Sequence, residues 1–296
     1  MVAFGQVVLG PPGSGKSTYC KGMHEFLTGT GRKVAIVNLD PGNENPPFTA
    51  EVDIRDLITI EDSMAEFKLG PNGALMYCME FIEKNFDWVL NQLAKFPKHY
   101  FLFDLPGQVE LYTHHCSVKN MVELMAKKDF RLCAVNLVDS HYCSDAGKFI
   151  SALLVSLTTM LQLALPHINI LSKIDLAQKY GKLEFGLDYY MDVMDLNFLL
   201  DTIPDDPFMC KFAKLNEALV GIVQDYSLVS FYPLDVEKKE MMFTVRSAID
   251  KANGYVFGVD EKNFDMVAAM SFAVGADFEY ARVGMAREMM DETDES

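Results

Sequence analysis

Gly10-Pro11-Pro12-Gly13-Ser14-Gly15-Lys16-Ser17 lies between an apolar run, Phe4–Leu9, and a helical pattern that opens at Lys16. The eight residues fit G-x-x-x-x-G-K-[ST], and phosphate chemistry accounts for each fixed position. Glycines let consecutive backbone N–H groups turn inward as an anion nest, here around Gly13, Ser14 and Gly15. Lys16 is placed to reach the β- and γ-phosphates, and the Ser17 hydroxyl to ligate Mg²⁺. With Thr18, both lie in a first helical turn whose positive end faces the phosphates. The bland alternative is an ordinary Gly/Pro strand-to-helix turn. The strand before and the helix after favour a phosphate-binding loop.

Working outward, short β-branched or aromatic runs alternate with helical patterns. The runs are Phe4–Leu9, Lys33–Leu39, His99–Phe103, Leu132–Val138, Ile168–Leu171 and Leu228–Tyr232. The helical patterns are Lys16–Leu27, Leu75–Leu93, Val109–Lys127, Ala146–Leu163, Pro207–Gln224 and Lys238–Ala252. Strand–helix alternation with nearly continuous apolar strands predicts a doubly wound, mainly parallel α/β sheet covered on both faces. With the phosphate loop this is a P-loop NTPase fold. Residues 1–260 read as one nucleotide-binding domain and 261–296 as a C-terminal extension. That extension ends in an acidic run, Glu288 to Ser296, expected to be a frayed tail.

Composition narrows the function classes. Of 296 residues, 26 are Lys or Arg and 42 are Asp or Glu, a formal charge of −16. Half the residues are hydrophobic, enough for a sizeable core. The acidic balance and absence of a basic run argue against direct nucleic-acid binding. The six cysteines are scattered without a C-x-x-C pair, so neither a disulfide framework nor a zinc site is expected. Met1 to Gln6 lacks a basic start, and Ile150–Leu165 is interrupted by Ser, Thr and Gln. A buried helix is expected there, with no membrane association and a cytoplasmic location.

Further candidate residues stand at strand ends. The run His99–Phe103 leads into Asp104-Leu105-Pro106-Gly107-Gln108. A carboxylate there sits beside the phosphate loop in doubly wound sheets, so Asp104 is a candidate for holding Mg²⁺. Gly107 allows close backbone approach to the γ-phosphate, and Gln108 and Glu110 are placed to orient an attacking water. Asp40, after the run ending at Leu39, is a second candidate for the metal shell or for orienting water. Asp-Pro-Gly is also an ordinary turn. Ser172-Lys173-Ile174-Asp175 resembles the N/T-K-x-D guanine-recognition motif, with Ser172 in place of the usual Asn or Thr. The Asp175 carboxylate can accept from guanine N1–H and its 2-amino group, and the Lys173 stem can cover the base. Ser230 to Leu234, after the last apolar run, is expected to form the other wall of the base pocket.

As an ordered set, Gly10–Ser17, Asn38-Leu39-Asp40-Pro41, Gly70-Pro71-Asn72, Asp104–Gln108 and Ser172–Asp175 resemble the GPN-loop GTPases. The details Asp188-Tyr189-Tyr190, His114-His115 and Val138–Tyr142 resemble the eukaryotic branch conventionally numbered second. The resemblance covers about residues 3–257. It implies a dimeric GTPase of the signal-recognition and MinD class, binding GTP or GDP with Mg²⁺. It also implies that Gly70, Pro71 and Asn72 enter the partner's active site, with Asn72 contacting the departing phosphate. The partners it implies are a second copy or a paralogue, and RNA polymerase II subunits or assembly factors. The implied role is assembly and nuclear import of that polymerase, with shuttling to the nucleus.

Two rival functions stay open. A P-loop kinase needs cations to clamp the transferred phosphoryl group, and the six unclustered arginines disfavour it. A nucleotide-held binding module with negligible turnover is the other. His114 and His115, adjacent on a helix, point about 100° apart and make a poor metal pair. Asp139, Ser140 and His141 end a strand, which accounts for them without a hydrolase triad. Asn72 has its own bland reading, a turn capping a helix that begins at Ala74.

Overall fold

A computed structural model of the chain describes residues 2–180, 183–193, 195–201 and 212–255. Seven strands form one all-parallel sheet: β1 Ala3–Leu9, β2 Val34–Asn38, β3 Val52–Asp53, β4 Tyr100–Asp104, β5 Phe130–Asp139, β6 His167–Ser172 and β7 Phe231–Leu234. Their order across the sheet is β3-β2-β4-β1-β5-β6-β7. The crossovers pass through helix, as parallel pairing favours, except that residues 39–51 carry β2 to the short β3 as a loop. The α/β, doubly wound architecture read from the alternation is the observed one.

Register positions the functional edge. Val8 of β1 and Asn38 of β2 both lie opposite Asp104 of β4. The carboxyl ends of three adjacent strands are therefore level. The phosphate loop, the turn at Asp40 and the loop after Asp104 all leave from that edge.

The chain packs as two compact units. Among the described residues one comprises those up to 137, 161–167 and 249–255; the other comprises 138–160 and 168–248. In the first, α1 Lys16–Gly29 buries Tyr19, Cys20, Met23 and Leu27, the spacing of one helical face. The Tyr19 hydroxyl donates to Gln6 Oε1 at 2.7 Å, which satisfies a buried phenol. Arg32 forms a two-pronged bridge to Asp250, at 2.9 and 2.6 Å, and stacks on Tyr255 with its guanidinium carbon 3.9 Å from the ring centre. In the second unit, Phe149 packs edge-on against Tyr190 at 5.1 Å between centroids.

Several boundaries differ from the sequence reading. Strand β3 escaped it because two residues carry no alternation. After helix α2 Ile60–Phe67, the pattern 75–93 is two helices, α3 Pro71–Lys84 and α4 Phe86–Leu93, broken at Asn85, whose Nδ2 donates to the Phe81 carbonyl at 2.8 Å. The pattern 109–127 is likewise two, α5 Glu110–Thr113 and α6 Ser117–Lys127. The last strand runs 231–234 rather than 228–232. It is an edge strand, where Pro233 costs no ladder bond. Helix α7 Ala146–Leu163 is long and apolar enough to cross a membrane by length and composition. Phe149, Leu153, Ser156 and Thr159 on it are buried. Residues 207–211 of the expected sixth helix and the extension 261–296 lie outside the described residues.

Candidate functional site

The loop between β1 and α1 takes its shape from three glycines in the left-handed half of backbone space: Gly10 at φ 140°, Gly13 at 77° and Gly15 at 92°. Gly10 is also sterically required. A Cβ there would lie 2.4 Å from the Leu137 carbonyl oxygen and 2.9 Å from Ser14 Oγ. Lys16 folds back so that Nζ donates to the Gly10 and Pro11 carbonyls, each at 3.1 Å. Ser14 is buried and Thr18 is exposed.

Asp104 meets this loop from β4. The Ser17 hydroxyl donates to Asp104 Oδ2 at 2.7 Å. Asp104 is 1% exposed, and its Oδ1 is buried with no nitrogen or oxygen partner. Burial raises its pKa to about 6; the Ser17 hydroxyl and Lys16 hold it down, Asp40 pushes it further up, and the Cys20 thiol opposes the rise as a weak donor. Asp40 is raised by its own burial, against the Gly42 N–H and Lys16. Burial lowers Lys16, while the charges of Asp104 and Asp40 oppose that. Two carboxylates with raised pKa beside one desolvated lysine form an electrostatically unbalanced cluster, the pattern of functional rather than structural groups.

A cavity of about 390 Å³ opens over these groups. Lys16, Ser17, Asp40, Gly107 and Gln108 line it together with Gly13. Gly107 is held close: a Cβ there would lie 2.9 Å from Lys16 Nζ and 3.0 Å from the Pro12 backbone. The sequence reading missed Pro12, Gly42, Asn43, Ile60 and Leu75, which also line the cavity. Asn43 carried a signal: it closes the turn begun by Asp40-Pro41, and its Nδ2 lies 3.2 Å from Ser17 Oγ.

Other candidates fall elsewhere. Glu110 is exposed in the first turn of α5 and is not among the cavity's lining residues. Gly70 is the N-cap of α3, Pro71 its first residue, and Asn72 is exposed in the first turn. The helix begins at Pro71 and not at Ala74, because proline's fixed φ suits the first position and needs no N–H partner. Asn72 lies inside the helix, with no side-chain cap, which overturns its reading as the cap residue. His115 Nε2 lies 3.3 Å from Glu80 Oε1, and His114 Nδ1 lies 2.7 Å from Thr113 Oγ1. Among the described residues no cluster of three or more His, Cys, Asp or Glu could hold a metal on its own.

The base-reading segment belongs to the second unit. Ser172 ends β6, and its hydroxyl donates to the Val138 carbonyl at 3.2 Å. Lys173 has φ 57°, and its Nζ pairs with Asp139 Oδ2 at 2.7 Å. The Ser140 hydroxyl donates to the Lys173 carbonyl at 2.8 Å, so Asp139-Ser140 braces this turn. Ile174 is buried and Asp175 is exposed, its carboxylate on the surface at the carboxyl end of β6. Ser230 is not placed as expected. It precedes β7, and the parallel register sets Phe231 opposite Asn169 and Leu234 opposite Ser172. Ser230 therefore sits at the amino end of the strand pair, away from Lys173 and Asp175, because the strand begins three residues later than the apolar run suggested.

Comparison with known proteins fits this geometry. A family described as "Conserved hypothetical ATP binding protein" matches residues 8–255. A GPN-loop GTPase 2 from Danio rerio is 56% identical over 98% of this chain and 93% of its own length. A GPN-loop GTPase 2 from Saccharomyces cerevisiae is 46% identical over 92% of this chain and 81% of its own. The apo crystal structure of a GTPase from Pyrococcus abyssi shares the fold. Its TM-score is 0.67 at 23% identity, covering 84% of this chain and 97% of that one. Phosphate loop, strand-end carboxylate and Gly70-Pro71-Asn72 thus occur together in a chain this similar to those two relatives over nearly its whole length, and it belongs to the GPN-loop GTPase family.

Proposed function

We propose that this chain binds GTP with Mg²⁺, hydrolyses it to GDP and phosphate, and works as a dimeric switch. The observation that carries the reading is the convergence of Lys16, Ser17 and Gly107 on one cavity, with the buried Asp104 carboxylate bonded to Ser17, at the level carboxyl ends of β1, β2 and β4. The donor set fits a hard divalent cation. A buried carboxylate oxygen with no nitrogen or oxygen partner and a hydroxyl beside it are oxygen ligands that such an ion, or its waters, would satisfy. Ser17 and Asp104 would hold the ion, with Asp40 nearby; when bound it neutralises charge on the β- and γ-phosphoryl oxygens.

The chain's own groups do the rest. Lys16 exchanges two carbonyl acceptors for phosphate oxygens, and the loop amides take the remaining charge. Gln108, on the cavity wall, orients the attacking water with Asp40; Glu110 can join only if the α5 turn moves. Asp175 selects guanine, since adenine offers an acceptor where guanine has N1–H.

Asn72 supplies an amide to the γ-phosphate of a partner subunit. Its exposure on the first turn of α3 supports this, as does Pro71, which stiffens the tip. The family resemblance alone supports the further role in assembly and nuclear import of RNA polymerase II, with paralogues as partners and shuttling between cytoplasm and nucleus. The mass and composition of the native complex test that part.

Calorimetry tests the site itself: Lys16→Ala should abolish tight Mg-GTP binding, and Ser17→Ala should remove its Mg²⁺ dependence. Parental binding by both variants would reduce the loop to a structural turn. For the dimer, an Asn72→Ala chain mixed with a Lys16→Ala chain should regain hydrolysis that neither shows alone. A verified mixed dimer as slow as its parts would rule out action in trans.

A further inference from the structure

We propose that Asn43 is a positioning residue that sets the Ser17 hydroxyl for the metal ion; the inference rests on the Mg²⁺ site argued above and adds a residue to it. A serine hydroxyl has one proton and two lone pairs. In this structure the proton goes to Asp104 Oδ2 at 2.7 Å. Asn43 Nδ2 lies 3.2 Å from the same oxygen. With its proton committed to a carboxylate, Ser17 can only accept from Asn43, so the amide nitrogen and not its oxygen faces the hydroxyl. One lone pair is thereby occupied. The single remaining lone pair is the ligand direction, and two hydrogen bonds fix where it points.

The backbone holds Asn43 for this task. The Asn43 N–H donates to the Asp40 carbonyl at 3.3 Å, closing a turn with Pro41 and Gly42 at its centre. The Gly42 N–H donates to Asp40 Oδ1 at 2.9 Å, which locks the same turn from inside. Gly42 is tightly seated, because a Cβ there would lie 2.8 Å from Ile60 Cδ1. Asp40 itself is tied to β2 through its N–H and Asn38 Oδ1 at 3.1 Å. The chain of bonds runs from β2 through the Asp40–Asn43 turn to Ser17 on α1 and on to Asp104 on β4. It joins three elements that meet at the cavity, and Asn43 lines that cavity beside Lys16 and Gln108.

Partners that orient a metal ligand without touching the metal typically change affinity 10–100-fold when removed. The test uses the full chain and a fluorescent GTP analogue, titrated with Mg²⁺ and measured again in EDTA. Asn43→Ala should raise the half-saturating Mg²⁺ concentration by about tenfold and leave the affinity in EDTA within about twofold of parental. In a Ser17→Ala background, where the Mg²⁺ dependence is lost, the same substitution should shift analogue affinity with or without Mg²⁺ by no more than about twofold, since the hydroxyl it acts through is gone. Should Asn43→Ala fold poorly, Asn43→Ser keeps a turn-compatible side chain too short to span to Ser17, and the same result is expected. An unchanged Mg²⁺ requirement in a folded Asn43 variant overturns the proposal. So does a shift that persists without the Ser17 hydroxyl. If the parent itself binds the analogue without regard to Mg²⁺, the metal site fails first and this assignment with it.

Discussion

Replacing Asp104 by Asn should change how stability depends on pH, by an amount that follows from the carboxyl's burial. A carboxyl that ionises near 6 in the folded chain instead of near its ordinary 3.8 is disfavoured as an anion by about 3 kcal/mol. The sign follows from proton binding. Between these values the folded chain keeps the proton and the unfolded chain has lost it, so the parent loses stability as pH rises. Above about pH 6 the penalty is complete; below about 4 it is absent. The Asp104→Asn variant carries no such titration. It adds a constant offset, from a buried amide with one unpartnered side and from the weaker field on Lys16, and that offset does not depend on this carboxyl's proton. Metal-free protein in EDTA, melted at several pH values from 4.5 to 7.5, should show Asp104→Asn gaining on the parent by roughly 2–3 kcal/mol across the window, at about 3 °C for each kcal/mol. Excess Mg²⁺ should flatten the parent's curve, because a cation on the carboxylate favours the ionised form. Parallel curves for parent and variant in EDTA would refute the account of Asp104 as a carboxylate whose ionised form burial penalises.

Three other substitutions have outcomes set by geometry. Gly10→Ala forces a Cβ to 2.4 Å from the Leu137 carbonyl at a φ of 140°, and should cost about 3 kcal/mol or more by urea denaturation. Gly107→Ala meets Lys16 Nζ at 2.9 Å from a half-buried position with ordinary φ. It should weaken GTP binding about tenfold by calorimetry with little change in melting temperature. Arg32→Ala removes both guanidinium hydrogen bonds to Asp250, whose side chain is 4% exposed, and should cost about 3 kcal/mol at neutral pH in the same denaturation assay.

How much the sequence revealed depended on whether a feature was periodic or tertiary. Strands Ala3–Leu9, Tyr100–Asp104 and Phe130–Asp139 were legible because strands buried on both faces read as unbroken apolar runs. The phosphate loop was legible because its glycines, lysine and serine sit at fixed spacing. The break at Asn85 was not, since apolar spacing continues from Ile82 to Phe86 and Val89 across it. Ser230 was misplaced because the apolar run opens at Leu228 while the strand itself opens only at Phe231. Ile60 and Leu75 belong to the cavity through tertiary approach, which local pattern does not encode. Asn72 was legible as a motif, while its place inside the first turn of α3 followed from Pro71.

The phosphate half of the site would serve ATP as well as GTP, and base choice therefore falls on Asp175. Steady-state phosphate release by the full chain, with Mg²⁺ and with GTP, ATP or xanthosine triphosphate, tests the central claim most directly. The account predicts release from GTP at a kcat/KM at least about 100-fold above ATP, since adenine leaves unpaired the carboxylate that guanine N1–H and its 2-amino group would cover. It further predicts that Asp175→Asn turns the preference toward xanthosine triphosphate. Equal turnover of ATP and GTP by the parent, or no Mg²⁺-dependent release from GTP, would contradict it.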